Sequence, residues 1–123
     1  MGGTAGLRRN LPLAGVGETG QGRGMEHHVY FWLKDECKGA AERAAFEQGL
    51  ASLFEIGLVK GGRWAVPATV MLRPVIDQSW DYALTMQFAD VADHDAYQVE
   101  PQHQAFIDAH KERWARVLVM DLA

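Results

Sequence analysis

A chain of 123 residues, 48% apolar and 23% charged, holds enough hydrophobic material for one domain core and little for a second. No run of about eighteen or more apolar residues occurs, which argues against a membrane-spanning helix, and the single cysteine, Cys37, excludes an intrachain disulfide. Charge is uneven: residues 1–24 carry Arg8, Arg9 and Arg23 against Glu18, net +2, while residues 25–123 carry nine basic and fifteen acidic side chains, net −6, a balance that opposes nucleic-acid binding.

The first 24 residues contain eight glycines, no periodicity and one short apolar patch, Leu11 to Val16, broken by Pro12. They read as a disordered, glycine-rich tail ahead of a domain at 25–123. The patch is shorter than the apolar run of about 7–15 residues that a secretory leader needs, so a cytoplasmic protein is expected. Met25 opens directly onto a strand pattern and is a candidate start of the natural chain.

Residues 27–33, HHVYFWL, are aromatic and β-branched with no breaker, which predicts a strand. Side chains alternate along it, so Val29, Phe31 and Leu33 form one face and His28, Tyr30 and Trp32 the other. Residues 38–55 place Phe46, Leu50 and Leu53 on one helical stripe, with Gly57 ending the helix. A second strand is expected over 58–66, where the pair Gly61-Gly62 signals a bulge or a close backbone approach. After a loop holding Pro67 and Pro74, residues 79–88 alternate cleanly. Trp80, Tyr82, Leu84, Met86 and Phe88 face one way, and Ser79, Asp81, Ala83, Thr85 and Gln87 the other.

Asp90 stands where an N-cap belongs, with Asp93 three residues on, ahead of a short helix through Tyr97. Pro101 forces Glu100 to be extended and suits the first turn of a new helix, expected over 101–116. A last strand covers 117–122. The order βαββαβ specifies an α+β, ferredoxin-like sandwich whose helices cover one sheet face only. Helices then lie over Val29, Phe31, Trp80, Tyr82 and Leu84, and the face bearing His28, Tyr30, Trp32, Asp81, Ala83 and Thr85 is bare. An aromatic patch of that size calls for a cover, and a second copy laid face to face supplies one with two-fold symmetry.

The segments HHVYFWLK, VPATVMLRPVIDQSWDYALTMQF, AYQVEPQHQAF and RWARVLVMD, spread over nearly all of residues 26–122, resemble the stress-responsive dimeric α/β-barrel (Dabb) proteins. The spacing Tyr-x-x-x-Pro-x-His-x-x-Phe, Tyr97 to Phe106, is the most specific part of the likeness. The resemblance implies a homodimeric ferredoxin-like barrel, whereas the small apolar or aromatic ligand expected here is motivated by the bare aromatic face. In a few plant relatives that act as cofactor-free polyketide cyclases, a Tyr and a His of this motif form the acid–base pair, which places Tyr97 and His103 as catalytic candidates. The resemblance also points His103, Phe106 and Trp114 at the pocket, and the bare face read from strand alternation is expected to line it with His28, Tyr30, Trp32, Asp81, Ala83 and Thr85. The tyrosine that the cyclases' first helix adds falls near Gly49 here.

Elementary chemistry supports the pair, since a first-turn His103 meets the positive end of a helix dipole, which favours the neutral base, and Tyr97 can donate to an oxyanion. The competing reading is that both merely tie the helix junction to the sheet. On the stripe His103, Ile107, His110 and Trp114, His110 is expected to be a packing residue. Two functions of different class follow: a small-molecule-binding homodimer without catalysis, or a cofactor-free cyclase, lyase or isomerase acting on an enolisable carbonyl. A dimeric-barrel monooxygenase is a weaker third. No cofactor or metal is expected: His27 and His28 diverge, and His103 and His110 lie about 10 Å apart along a helix.

Overall fold

The computed structural model describes residues 24–123, so the tail expected at 1–24 lies, but for Gly24, outside the described residues. Strand β1 (Met25–Leu33) leads to helix α1 (Ala40–Leu53). Strands β2 (Gly61–Ala65) and β3 (Tyr82–Phe88) follow, then helices α2 (Val91–Gln98) and α3 (Pro101–His110) and strand β4 (Trp114–Leu122). The sheet order is β2-β3-β1-β4 with every pair antiparallel, which is the ferredoxin-like α+β arrangement.

Strand β1 buries Met25, His27, Val29, Phe31 and Leu33 and turns Glu26, His28, Tyr30 and Trp32 the other way. On β3, Tyr82, Leu84, Met86 and Phe88 are buried against α1, which contributes Phe46, Leu50 and Leu53. Each such side chain contributes about 1.5–3 kcal/mol through burial. Phe46 is the hub, meeting Phe31 edge-on at 5.1 Å, Tyr82 at 5.3 Å and Phe106 at 6.0 Å between ring centres. The helix starts are those the sequence specifies: the Asp90 carboxylate accepts from Asp93 N at 2.8 Å, and the extended Glu100 precedes Pro101 and accepts from Gln102 N at 2.7 Å.

Four local expectations change. Helix α1 ends at Leu53, not at Gly57: the chain leaves it through short-range bonds such as Phe54 N to Ala51 O and Ile56 N to Leu53 O. Strand β3 begins at Tyr82, so the alternation does not reach Trp80. That indole stacks edge-on against Tyr30, 5.4 Å between ring centres, on the open face. Asp81 likewise leaves the open face. Its carboxylate accepts from Leu33 N at 2.8 Å and pairs with Arg43 of α1 at 3.3 Å, tying the sheet end to that helix. Finally, α3 ends at His110 and, after a single 3-10 turn, Trp114 opens β4 with extended backbone, paired to Leu33 across an irregularity in the ladder.

Gly62 shows the close approach that the Gly61-Gly62 pair signals. Its φ is +118°, and a Cβ there would lie 1.8 Å from the carbonyl oxygen of Thr85.

Candidate functional site

A cavity of about 380 Å³ lies between the sheet and helices α2 and α3. Its size falls in the range of small-molecule sites, about 300–1,000 Å³. Val29, Phe31, Leu84, Phe106, Ile107 and Trp114 supply apolar walls, and Val117 and Val119 of the edge strand β4, 40% and 47% exposed, form its open side. The polar lining is His27, His94, Tyr97, Gln98, His103 and Asp121.

The structure therefore brings Tyr97, His103, Phe106 and Trp114 together at one cavity. It does not bring His28, Tyr30, Trp32, Ala83 and Thr85 to it. Alternation along β1 and β3 puts those residues on the opposite sheet face, where Tyr30 stands across from Ala83 and Leu118, and His28 across from Thr85 and Met120. Trp32 is held there by a bond from its indole nitrogen to Ser79 Oγ at 2.9 Å and by the Arg116 guanidinium 4.3 Å above its ring. The expected wall and the expected acid–base pair thus belong to two surfaces separated by the sheet.

The Pro101 break aims the end of α2 and the first turn of α3 at one point: the Tyr97 and His103 rings lie 4.4 Å apart. Tyr97 is 1% exposed, and burial alone raises its phenol well above the ordinary value. Burial lowers the His103 pKa, with His27 adding to the effect and the Gln98 carbonyl and Glu100 opposing it. His103 Nδ1 donates to Gln98 O at 3.3 Å, which leaves Nε2 as the basic nitrogen of the neutral ring. The indole nitrogen of Trp114, also on the wall, is buried and has no hydrogen-bond partner among the described residues.

The polar group that strand and helix patterns did not reveal is built from three separated elements. The β1/β4 register sets His27 directly opposite Asp121, and His27 Nδ1 donates to Asp121 Oδ1 at 2.6 Å. His94 of α2 comes from above, its Nε2 3.8 Å from Asp121 Oδ2 and its ring 5.0 Å from that of His27. Burial outweighs the Asp121 carboxylate and lowers the His27 pKa, so the ring is held neutral. The strand alternation did place His27 on the buried face; only tertiary pairing supplies its partners.

His110, the remaining residue of the helical stripe, packs rather than lining the cavity. Its ring lies 5.5 Å from Phe46 and 5.1 Å from Phe106, and Arg113 donates to its Nδ1 at 3.0 Å. It fills the space beside Gly49, where an added Cβ would fall 2.3 Å from His110 Nε2. Gly49→Ala normally favours a helix by about 1 kcal/mol. Here it is expected to destabilise by about 1 kcal/mol, because the packed ring must move, and His110→Ala is expected to restore the gain. A thermal-denaturation double-mutant cycle with coupling under about 0.5 kcal/mol would refute that contact.

Comparisons with known proteins agree with this architecture. A Dabb-family protein with a ferredoxin-like fold from Mesorhizobium loti is 25% identical, with 81% of this chain and 95% of that one covered and a TM-score of 0.65. A dimeric ferredoxin-like protein of unknown function from Thermobifida fusca is 19% identical over 84% of this chain and 92% of that one, with a TM-score of 0.67. A hydroxynitrile lyase from Passiflora edulis is 17% identical over 80% and 90% of the two chains, with a TM-score of 0.64. No curated protein matches the chain. The profile of the stress-responsive A/B barrel domain matches residues 25–123, almost all of what the structure describes, and the chain belongs to that family, Dabb.

Proposed function

We propose that this protein is a cytoplasmic homodimer, closed through the open sheet face, in which the helix-side cavity of each protomer binds one small apolar or aromatic molecule. The observation that carries the reading is the cavity itself: about 380 Å³, walled by aliphatic and aromatic side chains, with a few polar groups on its lining. The unpartnered Trp114 indole nitrogen and the buried Tyr97 phenol offer donors to an acceptor on such a ligand.

A second reading rests on the 4.4 Å approach of Tyr97 and His103. His103 Nε2 takes a proton from the carbon next to a carbonyl, and the Tyr97 hydroxyl donates to the resulting enolate oxygen; return of that proton to the other face of the carbon completes an isomerisation. A hydroxynitrile lyase shares this fold, at an identity that carries the fold alone.

One probe, 2-tetralone, separates the two readings, being both aromatic and enolisable. Calorimetric binding that is weakened at least about tenfold by Val119→Phe, which narrows the open side, supports the pocket; absence of binding, or binding indifferent to that change, sinks it. Exchange of its α-protons in deuterated water, followed by NMR, tests the chemistry. Catalysed exchange is expected to drop about 10²–10⁴-fold in His103→Ala and in Tyr97→Phe. Exchange that survives in both variants, or no catalysed exchange in the unaltered protein, removes the acid–base reading while leaving the binding one.

A further inference from the structure

We propose that His27, His94 and Asp121 form a binding site for one divalent transition-metal ion, of the class of zinc or ferrous iron, at the polar end of the cavity. This goes beyond the pocket described above and does not depend on its ligand. One ligand atom from each of the three side chains lies within 4.8 Å of the other two. Ligands about 2.0–2.1 Å from a shared tetrahedral ion stand about 3.3 Å apart, so small side-chain rotations close the set.

The donor set is two imidazoles and one carboxylate, which suits zinc and iron and not magnesium. All three residues line the cavity, so the remaining coordination positions open toward it. His27 comes from β1, His94 from α2 and Asp121 from β4, and the sheet register fixes two of the three relative to each other.

The surroundings of His94 point the same way. Its Nδ1 donates to the Asp95 carboxylate at 3.0 Å, the outer-shell arrangement that fixes a ligating imidazole, and this leaves Nε2, the nitrogen 3.8 Å from Asp121 Oδ2, with the lone pair. Gln98 Nε2 lies 3.2 Å from the same nitrogen and is the group an ion must displace. The Asp121 carboxylate accepts from His27 at 2.6 Å and stands 3.8 Å from the unprotonated His94 Nε2; an ion takes the place of the His27 proton and fills the gap to His94.

The test is a titration of the full, tag-free chain, stripped with chelator, with cobalt(II) and then zinc. The expected result is one ion per chain, visible d–d absorption of low-coordinate cobalt that zinc abolishes, and no competition from excess magnesium. His94→Ala leaves the His27–Asp121 hydrogen bond in place and is expected to weaken binding roughly a hundredfold or more, as is Asp121→Asn, whereas His103→Ala leaves it unchanged. Circular dichroism of each variant separates lost binding from lost folding. Absence of the cobalt bands, or bands that persist unaltered in folded His94→Ala and Asp121→Asn, overturns the site. Neither outcome bears on 2-tetralone binding or exchange, so the pocket reading stands or falls separately.

Discussion

Gly62→Val is expected to destabilise the fold by about 3 kcal/mol or more, a fall in Tm on the order of 15 °C for a domain of this size. Gly62 sits in edge strand β2 opposite Met86, with φ at +118°, a conformation that side chains with a Cβ rarely adopt. Strain alone would cost about 1–3 kcal/mol, and the geometry adds a collision. A Cβ would lie 1.8 Å from Thr85 O, 2.8 Å from Thr85 C and 3.0 Å from Met86 Cα, all backbone, so no side chain can swing aside. The β2–β3 ladder must open, and hydrogen exchange in residues 61–65 should accelerate ahead of the rest of the sheet. Gly57→Ala is the control. Among the described residues nothing lies within 4 Å of its Cβ position, and its φ is not in the left-handed region, so it should be neutral or stabilise by up to about 1 kcal/mol. Comparable Tm values for the two variants would show that the Gly62 backbone is not constrained as described.

Leu118→Asp is expected to convert the proposed homodimer to a monomer at micromolar concentration. Leu118 stands in the row Ala83, Tyr30, Leu118 across the open sheet face, flanked by Met120 and Leu122, which are 51% and 47% exposed. Sheet-to-sheet closure over this face would bury an unpaired carboxylate at a cost of about 2–5 kcal/mol, and two-fold symmetry places it in the interface twice. Even the lower figure for each copy weakens dimerisation about a thousandfold, since 1.4 kcal/mol is tenfold. Sedimentation of the unaltered chain as a monomer, or of Leu118→Asp as an unchanged dimer, would rule out this face. The exposed apolar side chains of the β2–β3 loop, among them Met71 at 88% and Val75 at 80%, make a second region that association would cover, and a dimer untouched by Leu118→Asp would direct attention there.

Much of the fold was legible because it depends on short-range rules. Alternation set the two faces of β1 and β3, the Phe46, Leu50 and Leu53 stripe set the buried side of α1, and Asp90 and Pro101 marked two helix starts. Misplacement came where local pattern outran the element. The alternation through Trp80 and the helical spacing from His103 to Trp114 both continue past residues at which the backbone has already changed conformation. Alternation cannot tell where a strand begins, and i, i+4 spacing cannot detect a 3-10 turn that hands the chain to a strand.

The site divides along the same line. The convergence of Tyr97 and His103 was legible because only five residues separate them and a proline between them dictates how two helices meet. His27 and Asp121 are 94 residues apart, and His94 belongs to a third element. By itself the sequence determined the βαββαβ order and the bare sheet face, which follow from periodicity and capping within single stretches of chain, and its likeness to the Dabb proteins named Tyr97 and His103 as acid–base candidates. Only the tertiary structure decided that the cavity lies on the helix side rather than the open face, and that two histidines and an aspartate converge on it. That outcome rests on strand register and on the open side left at β4, which are set by pairing between distant segments and leave no mark on any one of them.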